Sequence, residues 1–337
     1  MFNYSRQNKN LNVYTRFLLI LMFLLSSLYL AAQKKLSFWE PADSFNSKRF
    51  WTVTYLGAAI YTGTIIGLNE IWYKQYPREA FHFFNDSKEW LGMDKAGHLV
   101  SSYAECRYLY EGAKWTGMKE NTAVWTGVGV ASAFHLSVEV LDGFSSKWGF
   151  SISDVGANLM GVGLFAAQQW GWKEQRILAK WSNMPQPYSD SPILSNEGSS
   201  TSSLAKRAKD LFGTSYPESF FKDYNATTAW LSFNLRSFFP TSKIPAWLNI
   251  AVGYGTQNLY GGYTNTWTEG EASYSLNTID YPRYHQYYLS FDIDTSKIKV
   301  KSHFLKTILD MVNFIKIPAP GIEFNSLGKV QFHALNY

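Results

Sequence analysis

Asp94-Lys95-Ala96-Gly97-His98, then His135-Leu136-Ser137-Val138-Glu139-Val140-Leu141-Asp142, then Ser153-Asp154-Val155-Gly156-Ala157-Asn158: these three pieces of the stretch from Asp94 to Trp172 decide how the chain folds. Each places a few polar residues at helical spacing inside apolar surroundings. Asp94 and His98 lie four apart, as do Asp154 and Asn158, and His135, Glu139 and Asp142 stand at i, i+4 and i+7 on one helix face. Ionisable groups on apolar helices are costly to bury unless they are paired, metal-bound or doing chemistry. The stretch therefore predicts three helices packed around a polar site.

The boundaries follow from the ends. Asp94 is a good N-cap residue, and its helix should run through Tyr110 to Gly112. Glu105, Arg107 and Glu111 make that helix amphipathic and too polar to cross a bilayer alone. The next helix spans about Asn121 to Asp142. The last opens at Ser151 or Ser153, with Asp154 in its first turn, and continues to Trp172. Gly127-x-x-x-Ala131, Gly129-x-x-x-Ala133 and Gly156-x-x-x-Met160-Gly161 supply small residues at the spacing that lets helices approach closely.

Upstream, Trp51 to Asn69 carries neither charge nor proline and predicts another helix, long enough to span a membrane although only moderately apolar. It ends in Glu70-Ile71-Trp72-Tyr73-Lys74, the aromatic and basic mixture of an interfacial boundary, before Pro77. Residues 48–175 thus read as one apolar four-helix unit. At the start of the chain, Arg6, Lys9 and Arg16 precede the apolar run Phe17 to Leu30 and then Ala31-Ala32, the pattern of a secretory signal peptide covering residues 1–32. Downstream, 183–203 contains Pro185, Pro187, Pro192 and a serine cluster around Gly198 and reads as a linker or long surface loop. From 204 to 337 the character changes. Thr227 to Phe238, Ala246 to Tyr254, Tyr284 to Ile293 and Lys329 to Tyr337 look like strands, and Ser302 to Phe314 like a helix. The fold class is α+β. A last strand ending in an aromatic suggests an outer-membrane barrel, but too few strands are visible for one of about eight or more.

Removing residues 1–32 removes three basic residues and no acidic ones, so the formal charge of +5 falls to +2. A near-neutral chain gives no electrostatic case for nucleic acid as a partner. Cys106 is the only cysteine, so no internal disulfide forms, and its helical surroundings suit a small core residue. The 13 Trp, 22 Tyr and 24 Phe suit a protein that meets lipid headgroups or carbohydrate. Trp230, Trp247, Tyr260 and Tyr263 are candidates for recognising a glycan or an envelope protein, or else core residues.

If the three central helices pack together, Asp94, Lys95, His98, His135, Glu139, Asp142, Asp154 and Asn158 form one polar cluster. A mixed histidine and carboxylate set could hold a divalent metal, zinc, iron or manganese rather than calcium, with His98, His135 and Glu139 as ligands and Asp142 or Asp154 as the catalytic base. Against this stands a purely structural account. Asp94 and Asp154 lie where helix-capping acids belong, Asp142 where a helix stops, and Glu139 and His98 could pair between helices. The chain has no His-Glu-x-x-His, Gly-x-Ser-x-Gly or phosphate-binding glycine loop to decide between the two.

Asp94-Lys95-x-x-His98, Glu139 near Asp142, and Ser153-Asp154-x-x-x-Asn158-x-x-Gly161 together resemble the YfiM-like family of uncharacterised bacterial envelope proteins, over about residues 84 to 172. The same order of residues is more faintly similar to VanZ-like membrane proteins. Asp223-Tyr224-Asn225 and Arg283-Tyr284-His285-Gln286-Tyr287-Tyr288 look like the C-terminal extension of long Bacteroidetes relatives. The resemblance implies a periplasmic or outer-membrane location and no known activity, and this sequence departs from it in lacking a lipobox cysteine. The expectation is therefore an exported, outer-membrane-associated structural or interaction protein with membrane lipid as a partner, its polar cluster locking the helices. The alternative is a metal-assisted hydrolase or transferase acting on an envelope lipid or glycan.

Overall fold

Four helices come first in the computed structural model, which describes residues 37–71 and 73–336; the expected signal segment lies outside them. They are α1 (Ser47–Ile71), α2 (Met93–Trp115), α3 (Glu120–Asp142) and α4 (Ile152–Trp172). Local chemistry fixes their starts. Asn46 accepts the Arg49 amide at 3.0 Å ahead of α1, and the Ser151 hydroxyl accepts the Asp154 amide at 3.0 Å ahead of α4. α2 begins one residue before Asp94, behind Gly92 in the left-handed region (φ 80°), which puts Asp94 in the first turn beside the positive end of the helix dipole.

α2 is the central helix, packed against both α3 and α4. Two of the small residues explain how close that packing is. A Cβ on Gly127 would sit 2.6 Å from the Cys106 carbonyl, and one on Gly161 would sit 2.2 Å from the Leu99 carbonyl and from Ser102 Oγ. Gly129 and Gly156 meet nothing within 4 Å, so the spacing that suggested them as contacts is only half used. Gly161→Ala should therefore overpack the α2–α4 contact and cost about 1–3 kcal/mol. Gly156→Ala should be neutral or gain about 0.5–1 kcal/mol from helix propensity. Thermal melts of the two variants side by side check this, and equal melting points would refute the close contact.

The strands follow as β1 (Ile177–Asn183), β2 (Ile193–Leu194), β3 (Thr201–Ser202), β4 (Thr227–Asn234), β5 (Leu248–Gln257), β6 (Thr266–Glu269), β7 (Ala272–Ser275), β8 (Tyr284–Ile293), β9 (Ala319–Asn325) and β10 (Val330–Asn336). Between them lie α5 (Leu204–Phe212), α6 (Tyr216–Lys222), α7 (Leu235–Phe238) and α8 (His303–Met311). Six strands form one antiparallel sheet in the order β1-β4-β5-β8-β9-β10. The mixed class expected from sequence is the class observed, with helices in the N-terminal half and a strand-rich C-terminal region. The sheet starts at Ile177, ahead of the Pro- and Ser-rich stretch 183–203, which itself holds β2 and β3.

Residues 41–337 form one unit, because the sheet and the helices share a core. Met93, Val100, Tyr103 and Cys106 of α2 and Phe165 of α4 pack with Trp181 of β1 and Ala229 of β4. Cys106 is fully buried there, as a small core residue should be. A second cluster gathers Leu204, Tyr260, Trp267 and Tyr274 beneath the β6–β7 hairpin.

Over β5, β8, β9 and β10 the sheet is inverted relative to one that faces water, whereas over β1 and β4 the same side, through Trp181 and Ala229, packs on the helices. Alternate residues of a strand point to opposite sides. Val252, Leu289, Ile322 and Phe332 form one cross-strand row over β5, β8, β9 and β10. Tyr287, Phe324 and Val330 form the next. These residues are 38 to 68% exposed. The other side carries Lys180, Ser232, Asn249 and Asp292, all with 0% exposure, together with buried Glu323. Lys180 Nζ lies 2.8 Å from Asp292 Oδ2, which also accepts the Ser232 hydroxyl at 2.6 Å, so the enclosed charges are paired and hydrogen-bonded. The sheet curls to enclose them. Just before β9, the Lys316 amide donates to the Trp181 carbonyl of β1 at 3.0 Å, and its ammonium donates to the Asn336 carbonyl of β10 at 2.9 Å.

Candidate functional site

The ends of α2, α3 and α4 and the loops beside them bring the polar residues together. The chain enters α2 through Trp90 (φ 51°), Leu91 (φ 54°) and Gly92 (φ 80°), three successive left-handed residues. Such a turn is strained at the two side-chain-bearing positions and persists only where its surroundings hold it. Here the Trp90 amide donates to the Gly262 carbonyl at 2.8 Å, the Trp90 ring packs on Phe212 and Tyr224, and the Tyr254 hydroxyl donates to the Leu91 carbonyl. The sheet region thus sets where Asp94 points.

Lys95 is the hub. Its ammonium lies 2.7 Å from Asp86 Oδ2, 2.7 Å from Asp154 Oδ1 and 3.0 Å from Asp94 Oδ2. It joins the loop before α2, α2 itself and α4. Asp86 Oδ1 also accepts the hydroxyls of Ser151 at 2.6 Å and Ser153 at 2.7 Å. Asp94 Oδ1 accepts the Tyr224 hydroxyl at 2.9 Å. One turn along the same face of α2, His98 Nδ1 lies 3.1 Å from Asn158 Oδ1 and 3.8 Å from Glu139 Oε1, while His98 Nε2 lies 3.8 Å from Asp154 Oδ1. Asp142 accepts the Tyr73 hydroxyl at 2.8 Å.

Seven of the eight residues expected in the cluster, Asp94, Lys95, His98, Glu139, Asp142, Asp154 and Asn158, meet at this end of the bundle. His135 lies one helical turn away from Glu139, and its Nε2 pairs with Glu105 Oε2 at 3.2 Å. The set His98, His135 and Glu139 is therefore not drawn into one ligand shell. Among the described residues, the three whose ligand atoms fall within 4.8 Å of one another are Asp94, His98 and Asp154. Asp86, Tyr73 and Tyr224 were not expected. Asp86 and Tyr224 come from loops and Tyr73 from a 3-10 turn after α1, far apart in sequence, where no periodicity marks them.

The charges are unequal in their support. Burial pushes Asp86 up, but hydrogen bonds from Asp154, Lys95, Ser151 and Ser153 outweigh it and hold the carboxyl at about 2. Burial raises Glu139 to about 8, with Asp154 and Asp142 adding to the effect and His98 opposing it. Burial likewise raises Asp154 to about 7 and Asp142 to about 6. For His98, burial disfavours the charged form, but the carboxylates of Asp94, Asp154 and Glu139 prevail and raise it.

A carboxyl whose folded value is raised stabilises the fold below its unfolded value and loses that contribution as pH climbs to the folded one. A raised histidine acts in the same sense, contributing below about 6.5 and losing it through its folded value. Glu139, Asp142, Asp154 and His98 all act in this direction between about pH 5 and pH 8, while Asp86 stays ionised throughout. In the presence of a chelator the protein should therefore melt several degrees lower at about pH 8 than at about pH 5. A melting temperature that stays level or rises over this window would contradict the raised direction of these groups.

Residues 82–168, which contain the whole constellation except Tyr73 and Tyr224, match a family described as "Predicted periplasmic lipoprotein (DUF2279)". The match covers about a quarter of the chain and coincides with the region whose motifs resemble uncharacterised envelope proteins. It agrees with the cell-envelope location expected from the sequence. No curated protein and no solved structure matches the chain.

Proposed function

We propose that this chain is an outer-membrane-associated envelope protein with a structural or interaction role, seated in one lipid leaflet and held in shape by the Lys95-centred cluster. The observation that carries the reading is the inverted sheet. Lys180 and Asp292 are enclosed at 0% exposure while Phe332, Val330 and Phe291 stand 68, 66 and 51% exposed on the opposite side. Apolar-out and polar-in alternation is the pattern of strands that face acyl chains. Contiguous apolar surface of this kind is rare on proteins that live in water. The helices add to it through exposed Trp125 and Leu136 on α3 and Leu159 and Met160 on α4.

The reading is association with the membrane rather than passage across it. β1, β9 and β10 have seven residues each, short of the ~9–11 that a crossing strand needs. α2 carries Glu105, Arg107 and Glu111. α3 is long and apolar enough to cross a bilayer by length and composition, but its inner face holds buried His135 and Glu139 against the cluster. Of the aromatic residues considered for ligand recognition, Trp230 and Tyr260 are buried, which leaves Trp247 and Tyr263, 41 and 50% exposed, for contact with a partner.

Cell fractionation tests the proposal. The protein should sediment with outer membranes, resist a high-salt wash and be released by detergent. Recovery as a freely soluble periplasmic protein would overturn it.

A further inference from the structure

We propose that Asp94, His98 and Asp154, backed by Glu139, form a binding site for one divalent transition-metal ion of the zinc type. The site does not depend on the membrane reading, since its residues lie on α2, α3 and α4 and not on the sheet.

The cluster divides into a matched half and an unmatched half. Around Lys95, every carboxylate has a partner within 3.0 Å. Around His98 the count fails. Among the described residues, Asp86, Asp94, Asp154 and Glu139 lie within 3.8 Å of one or other of two cationic side chains, Lys95 and His98, and Asp142 is served by the Tyr73 hydroxyl. Lys95 already serves three of them. Glu139, 1% exposed, has an Oε1 with no hydrogen-bond partner, directed at the His98 ring 3.8 Å away. Leaving a buried carboxylate oxygen without a donor is costly. That oxygen faces the Nδ1 edge of the ring, so a cation held at the Nε2 edge, beside Asp154 Oδ1, would not be ligated by Glu139 but would add positive charge next to it.

The donor geometry suits such an ion. The ligand atoms of Asp94, His98 and Asp154 fall within 4.8 Å of one another. His98 Nε2 and Asp154 Oδ1 are 3.8 Å apart, and two bonds of about 2.0–2.1 Å to one tetrahedral ion need only a small closing of that gap. His98 is also supported as a ligand should be. Its Nδ1 lies 3.1 Å from Asn158 Oδ1, so an Nδ1–H donating there leaves the Nε2 lone pair for the metal. One imidazole with two carboxylates selects zinc, iron or manganese over calcium. The His98 and Asp94 side chains are 22 and 24% exposed, which gives an ion a way in.

The test uses the detergent-purified full chain, stripped with a chelator and titrated with zinc chloride alone by calorimetry, with cobalt(II) absorption as a second readout. Uptake of one equivalent is expected, together with visible cobalt bands of a nitrogen-and-oxygen site. His98→Gln should abolish both. Asn158→Ala, which removes only the support of the ring, should weaken zinc about 10–100-fold. Circular dichroism confirms that each variant is folded, and if His98→Gln is not, Asn158→Ala and the wild-type cobalt spectrum decide. No zinc uptake by folded wild type overturns the proposal. So does uptake that both variants leave unchanged, which would be adventitious surface binding.

Discussion

Replacing Lys95 by Met is expected to destabilise the protein by about 3–5 kcal/mol, the range for removing one partner of a buried charge network. The side chain is 15% exposed. Its ammonium is the shared counter-ion of Asp86, Asp94 and Asp154 at 2.7, 3.0 and 2.7 Å. Methionine fills the same volume but leaves three carboxylates facing one another in a site with little water. Asp86 loses the Lys95 ammonium, one of the donors that hold its carboxyl low, and keeps only those from Asp154, Ser151 and Ser153 against the cost of burial. A second substitution, Asp86→Asn, should therefore recover part of the loss in Lys95→Met while costing stability in the wild type. That sign reversal in a double-mutant cycle identifies a network acting as a unit. Denaturant midpoints of the four proteins measure it, and a loss below about 1 kcal/mol for Lys95→Met would place this ion pair among surface pairs of little consequence.

Much of this network is legible in the sequence, for a physical reason. Helical periodicity places i and i+4 on one face, so the spacing alone makes neighbours of Asp94 and His98, and of Asp154 and Asn158. The apolar residues around them require those faces to be inside. Helix starts are legible as well, because Ser151 caps its helix through a local hydrogen bond. What periodicity cannot carry is contact between elements. Asp86 sits in a loop with no repeat to mark it, yet it completes the Lys95 site. Tyr224 reaches Asp94 across 130 positions. His135 shares a face with Glu139, but a helix rises about 5.4 Å per turn, and that one turn sets its Nε2 against Glu105 at 3.2 Å while its ring stays 6.3 Å from that of His98. β1 is hidden because Lys180 interrupts an otherwise apolar run and would be excluded from a buried position. Only the fold supplies Asp292 to pair it.

The sheet raises the same issue in sharper form, and it leads to the second large effect. Alternation identifies β8 and β10 as strands but does not say which face is inside, and β9 between them is not read from the sequence. The default for a protein in water puts the apolar face inward, and here that face is outward over four strands. If lipid covers it, lysine at Leu289 and Phe332 enters a medium without water, at about 2–4 kcal/mol per charge near the bilayer centre and about 0–1 near its edge. The Leu289→Lys/Phe332→Lys variant should then leave the membrane fraction or fail to accumulate, while keeping its β-sheet circular dichroism in detergent. If water covers the face, the same two substitutions fall among surface changes worth within about 0.5 kcal/mol either way, and location should not change. Ile279→Lys provides the control. It is 85% exposed but lies in the turn before β8, off the apolar face, so it should be silent under both readings. Membrane flotation of the three proteins separates the cases, and an unchanged distribution of the double variant would remove lipid as the partner of this sheet. The enclosed pair Lys180–Asp292 makes the expected direction hard to reverse, because turning the apolar face inward would expose those strands only by unpairing two charges that now have 0% exposure.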